Sequence, residues 1–122
     1  MALETKTAQL VTKLIRETAK GGVKWTVKDP PRSLHEATER VVPIYLEAIY
    51  KGKAIGVYEI RYKSYFDEDA FYWTETVGLC LVDGSGRVVW ESGEHLPSLL
   101  DLLSTAREQA SGIEDILDDL LD

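Results

Sequence analysis

Two runs of alternating side chains flank Lys51-Gly52: VVPIYLEAIY before it and AIGVYEIRYK after Lys53. Successive residues of a strand point to opposite faces, so each run puts a regular set of apolar groups on one side. A two-residue loop with glycine where φ must be positive closes such runs into a hairpin. Pairing Tyr50 with Lys53 sets Leu46 opposite Val57 and Tyr45 opposite Tyr58. One face then carries Val42, Ile44, Leu46, Ile55 and Val57, and the other Tyr45, Tyr58, Ile60 and Tyr62. Pro43 has no N–H to give to a ladder, which puts it at an edge or a strand start.

The second run continues into Tyr58–Leu81, whose first sixteen residues hold seven of the chain's eleven aromatics. This stretch reads as two strands joined by the acidic loop KSYFDED. In the strand over 70–82, Phe71, Trp73, Val77, Leu79 and Leu81 share one face, and Tyr72, Thr74, Thr76, Gly78, Cys80 and Val82 the other. A loop centred near Asp67 brings Tyr58 near Thr76 and Tyr62 near Tyr72. Asp83-Gly84-Ser85-Gly86 is a turn, and RVVWE returns as a last strand. Pairing Val82 with Arg87 sets Leu81 beside Val88 and Leu79 beside Trp90.

The ends of the chain read as helices. Leu10, Val11, Leu14 and Ile15 form the stripe of a helix over 2–20, stopped by Gly21-Gly22. VKWTVK alternates as a half-buried edge strand with Val23, Trp25 and Val27 on one side, and Asp29-Pro30-Pro31 ends it. In residues 32–40, RSLHEATER, Ser33 with Glu36 fits the capping box of a short helical turn, and a surface loop suits the stretch nearly as well. Pro97 opens a helix with Leu99, Leu103, Ala106 and Ala110 as its stripe. A final short helix places Ile113, Ile116, Leu117, Leu120 and Leu121 opposite Asp115, Asp118, Asp119 and Asp122. The order of elements implies one α+β domain over residues 1–122. Its core is an antiparallel meander of about five strands with the N- and C-terminal helices packed on one face.

Charge narrows the function classes. The chain carries a net −7. Residues 1–63 hold 12 Lys/Arg and 7 Asp/Glu, whereas residues 64–122 hold 2 and 14. An acidic C-terminal half disfavours nucleic acid, whose phosphates require a basic surface. No apolar run approaches a membrane span, and MALETKTAQLVTKLIRE lacks the apolar block of a signal peptide. With the single Cys80 and no internal disulfide to form, the expected location is cytoplasmic, away from membranes.

From Gly21 onward the chain resembles a family of small uncharacterised bacterial proteins. The resemblance rests on GGVKW, ERVVPIYLEAIYKGKAI, YEIRYKSYFDEDAFYWTE, LVDGSGRVVWE and REQASGIEDILDDLL, in that order. It implies a free-standing cytoplasmic domain. No activity is established for such proteins, so it supplies no catalytic residues.

The sequence offers little catalytic chemistry and no cofactor motif. His35-Glu36-Ala37-Thr38-Glu39 begins like a zinc-protease helix but has Glu39 where the second histidine belongs; His35 and Glu39, with His95 or a carboxylate completing the set, are the nearest thing to a metal site, and a solvated polar turn is the plain reading. Asp67-Glu68-Asp69 lacks the alternating ligands and glycine of a calcium loop. Cys80 lies mid-strand between leucines, a packing position. The sharper expectation concerns a surface. The helices cover the sheet face that carries Leu46, Val57, Trp73, Leu79 and Trp90, leaving the tyrosine face open. Tyr45, Tyr58, Ile60, Tyr62, Tyr72 and Thr74 then form a half-exposed patch, with Tyr65, Phe66 and Asp67 at its polar rim. Tyrosine is stiff and amphipathic and suits association. The function expected is a non-enzymatic protein-interaction module, docking a partner or forming a homodimer. Two alternatives stay open: a ligand- or metal-binding protein or small enzyme using the Tyr65–Asp69 loop with His35 or His95, and an acidic antagonist of a basic partner.

Overall fold

A computed structural model describes residues 2–92 and 96–122 of the chain. Helix α1 (Leu3–Lys20) leads into a short strand β1 (Thr26–Val27), followed by β2 (Val41–Tyr50), β3 (Lys53–Tyr65), β4 (Phe71–Val82), β5 (Val88–Glu91), α2 (Pro97–Ser111) and α3 (Ile113–Leu121). The strands form one antiparallel sheet in the order β1-β2-β3-β4-β5, the expected meander.

Local chemistry explains the breaks between elements. Gly21 takes φ 83° at the end of α1, and Gly22 N–H donates to the Glu17 carbonyl at 2.8 Å, satisfying carbonyls the helix leaves open. Lys51 and Gly52 both have positive φ, the geometry that matches strand twist in a two-residue hairpin. After β4, the Asp83 carboxylate accepts hydrogen bonds from the backbone N–H groups of Ser85 (2.9 Å) and Arg87 (3.0 Å) and from the Ser85 hydroxyl (2.6 Å). These donors hold its carboxyl below the usual carboxylate range.

The helices pack on one sheet face as expected. Val11 and Leu14 of α1 and Leu99, Leu102, Leu103 and Ala106 of α2 close over Leu46, Ile55, Val57 and Leu79. Trp25 joins this core and donates its indole N–H to Thr18 Oγ1 at 2.9 Å. The predicted edge strand shortens to two residues. The Gln109 side chain of α2 takes the Trp25 backbone N–H at 2.7 Å and gives its own amide to the Val23 carbonyl, so a side chain does the work of a ladder. Val27, expected on the buried side, is exposed. Helix α3 buries none of its residues fully, with Ile113 half-buried, and so adds little to the face it was expected to help cover.

The other sheet face is not open. Arg32–Leu34 forms a 3₁₀ turn, and Leu34 lies fully buried in a second core with Tyr45, Tyr58, Ile60 and Cys80. Two irregularities complete this core. The β2–β3 register shifts between Val41 and Ile44, and the β4–β5 register shifts between Leu81 and Val82. Val42 and Val88, both expected on the helix-covered face, consequently pack with the tyrosines. At the second shift Leu81 pairs with Trp90 and Val82 with Val88, replacing the expected pairs of Leu81 with Val88 and Leu79 with Trp90.

Candidate interaction surface

Strand β3 outruns its neighbour. The pairing of β2 with β3 ends at Val41 opposite Arg61, while β3 and β4 remain paired to Tyr65 opposite Phe71. On the other side, β5 pairs with Cys80, Leu81 and Val82. Residues 62–74 therefore form a two-stranded arm beyond the core. Tyrosine, phenylalanine, tryptophan and threonine favour extended backbone, and aromatic cross-strand pairs add to a ribbon that would be marginal alone. The loop centres on Glu68 rather than Asp67: the Phe66 N–H donates to the Ala70 carbonyl at 3.1 Å. Tyr58 thus faces Gly78 and Tyr62 faces Thr74, a displacement of two residues from the expected pairs that leaves every side chain on its expected face.

Aromatic groups occupy both faces of the arm. On one, Tyr65 and Phe71 are 5.5 Å apart, Phe71 meets Trp73 edge-on at 6.0 Å, and the Lys63 ammonium lies 4.6 Å from the Phe71 ring centre. On the other, Ser64 and Thr74 share a 2.7 Å hydroxyl contact, with Tyr62 and Tyr72 beside them. At the tip Phe66 stacks on Tyr72 at 6.2 Å. The Tyr65 hydroxyl donates to Glu39 at 2.9 Å, tying the arm to the segment before β2, and this acceptor raises its pKa. Exposure runs from 37% at Tyr62 to 69% at Phe66, with Trp73 at 51% and Tyr72 at 60%.

Of the nine residues expected to form the surface, Tyr62, Tyr65, Phe66, Asp67 and Tyr72 are exposed and Thr74 half-buried. Tyr45, Tyr58 and Ile60 are a correction: Leu34, Val42 and Val88 cover them, leaving both tyrosines at no more than 1% exposure. Trp73 and Phe71 reverse the other way. They lie on the helix side of the sheet but past the helices' reach, so the arm gains two aromatics that face parity alone assigned to the core. Strand length beyond the neighbouring strands was the missed signal; it follows from counting β3 against β2.

The buried tyrosines form a polar network rather than a site. Tyr58 donates to Glu91 at 2.7 Å, and Arg40 pairs with the same carboxylate oxygen. Tyr45 donates to Glu47 at 2.8 Å. Burial raises both phenols and pushes the Cys80 thiol up to about 12, which leaves it protonated and unreactive at neutral pH. Arg40 beside Glu91 is raised as well.

His35 is half-buried and Glu39 is engaged by Tyr65. His95 lies outside the described residues. Among the described residues no group of three or more His, Cys, Asp or Glu side chains could hold a metal ion. A groove of about 470 Å³ runs between α2 and β3–β4, lined by Glu59, Glu75, Val77, Pro97, Leu100 and Arg107; it takes in neither His35 nor the Tyr65–Asp69 loop. Among the described residues no helix is long and apolar enough to cross a membrane. No protein-family model, characterised protein or solved structure matches the chain, so no residue role is carried in from a relative.

Proposed function

We propose that this chain is a protein-interaction module that binds through the β3–β4 arm. One observation carries the reading: Tyr62, Tyr65, Phe66, Phe71, Tyr72 and Trp73 all stay exposed on one ribbon. Together they present roughly 600 Å² of aromatic surface, taking about 200 Å² for each whole side chain. The rings are divided between the two faces of the arm and its tip, and exposed apolar patches of a few hundred Å² on a monomer are often functional. Tyr65, Phe66, Phe71, Tyr72 and Trp73 each rest against a neighbouring ring, and Lys63 lies over Phe71 and Trp73, which reduces the side-chain entropy lost on binding. Asp67, Glu68 and Asp69 supply a polar rim at the tip.

The test is native mass spectrometry of the gently purified protein beside a Tyr72→Ser/Trp73→Ser variant. Both positions are more than half exposed, so the fold should survive. The expected result is added protein mass on the natural chain, a multiple of 13.7 kDa or a partner, that the variant loses. Equal masses for both would overturn the reading.

A second reading draws on α3, whose Glu114, Asp115, Asp118 and Asp119 are all exposed. It makes the chain an acidic ligand for a basic partner. Such binding weakens steeply as salt rises from about 0.05 to 0.3 M, whereas aromatic contacts depend on it less.

A further inference from the structure

We propose that the arm's partner is a second copy of this chain, joined β4 to β4 edge to edge around a two-fold axis at Trp73; this rests on the reading of the arm as the binding surface. The backbone supplies the first argument. The Ser92 N–H donates to the Leu79 carbonyl at 2.8 Å, and the Leu79 N–H donates to the Ser92 hydroxyl at 3.1 Å, so the backbone polar groups of Leu79 point away from β3. The Ala70 carbonyl, an odd number of residues away, points toward β3, where the Phe66 N–H meets it. Alternation along a strand then aims the N–H and C=O groups of Phe71, Trp73 and Glu75 outward. Among the described residues no strand pairs with that edge over 71–75.

An open edge of this kind is a template for strand addition unless something blunts it. Of the devices that blunt edges, FYWTE holds no proline, no lysine and no bulge, and its one charge, Glu75, is paired with Arg61 of the neighbouring strand at 3.2 Å. A second copy fits it by self-complementarity. In an antiparallel pair centred on Trp73, Trp73 meets its own counterpart, Tyr72 meets Thr74, and Phe71 meets Glu75. Aromatic and β-branched residues pair well across strands, and no like charges stand opposite. Shifting the axis to Glu75 would oppose two carboxylates, and shifting it to Tyr72 would set Glu75 against Asp69. Phe71, Tyr72 and Trp73 line this edge and bring roughly 300 Å² of exposed aromatic surface to it, to which the ribbon backbone adds. The product is a continuous sheet through both copies, with an isologous contact that closes on itself.

A charge swap at the axis tests this. Trp73→Lys and Trp73→Glu each place two like charges together, and an equal mixture places opposite charges together. Light scattering after size exclusion of the full chain at about 100 μM, a level that detects micromolar association, gives the mass of each sample. Circular dichroism checks that each variant keeps its fold. The inference expects twice 13.7 kDa for the natural protein, 13.7 kDa for each variant alone, and twice that mass restored in the mixture. A monomeric natural protein, a variant that stays dimeric, or a mixture that stays monomeric each overturns it. Dimer lost without rescue would keep the arm as the interface and discard the edge pairing. Dimers unaffected by either charge would count against the arm itself.

Discussion

Gly56 and Gly78 lie beneath the rings of Tyr45 and Tyr58, and no larger residue fits there. A Cβ at Gly78 would come within 2.7 Å of the Tyr58 ring, and one at Gly56 would press on the Tyr45 ring and hydroxyl. The rings lie side by side, tilted by 30° with centres 5.9 Å apart, and are held at their far ends by Glu47 and Glu91, so neither can swing aside without losing its acceptor. Gly78→Ala should therefore destabilise the fold by about 2 kcal/mol, the ordinary cost of overpacking. Urea unfolding followed by circular dichroism measures this, and an unchanged midpoint would mean that the ring is free to move. Face parity in the sequence already put Tyr45, Tyr58 and Gly78 together. Their burial was not legible, because, of the residues that cover them, Val42 and Val88 reach this face only through bulges, and the third is a single leucine in RSLHEATER. One apolar residue in a polar stretch carries no period from which a buried position can be read, and Leu34 reaches the sheet only through long-range packing.

At the scale of elements, the faces of β2, β3 and β4 could be read from alternation, and the Lys51-Gly52 turn set the β2–β3 pairing from Tyr50 opposite Lys53 to Ile44 opposite Glu59. Registers without a turn signal could not. The five-residue loop Phe66–Ala70 contains no glycine or proline, and the bulges that carry Val42 and Val88 to the tyrosine face break the period that the reading depends on. Helix α3 shows the same limit in reverse. Its stripe of Ile116, Leu117, Leu120 and Leu121 reads as core-facing, yet these residues are 47–85% exposed. A short amphipathic helix declares an apolar side without declaring what meets it. With no buried residue, α3 contributes little to the body of the fold. Ending the chain after Gly112 should change stability by less than about 1 kcal/mol, within the range of surface changes. A thermal melt checks this; a loss of several degrees would show that α3 supports α2.

For the whole molecule, two cores on opposite faces of one sheet make stability depend on alkaline pH. The buried residues of the helix-side core include no group that titrates, whereas the second core holds Tyr45, Tyr58 and Cys80 in their neutral forms. Burial pushes the thiol from its ordinary value of about 9 up to about 12 and raises both phenols from about 10. In the unfolded chain these groups lose their protons at the ordinary values, so above pH 9 the native state binds more protons than the unfolded one. Their contribution is therefore complete below about pH 9 and declines as pH rises, at roughly 1.4 kcal/mol per pH unit for each group in its window. Melting temperature should hold level from pH 7 to about 9 and then fall with increasing slope as thiol and phenols join in turn. Cys80→Ala should delay the onset by about one pH unit, since the phenols then act alone. Ultraviolet difference spectra should show two of the six tyrosines ionising only as the fold is lost. Early ionisation of all six would mean that the segment carrying Leu34 opens before the sheet does, and that the second core is a lid over the tyrosines rather than part of the cooperative fold.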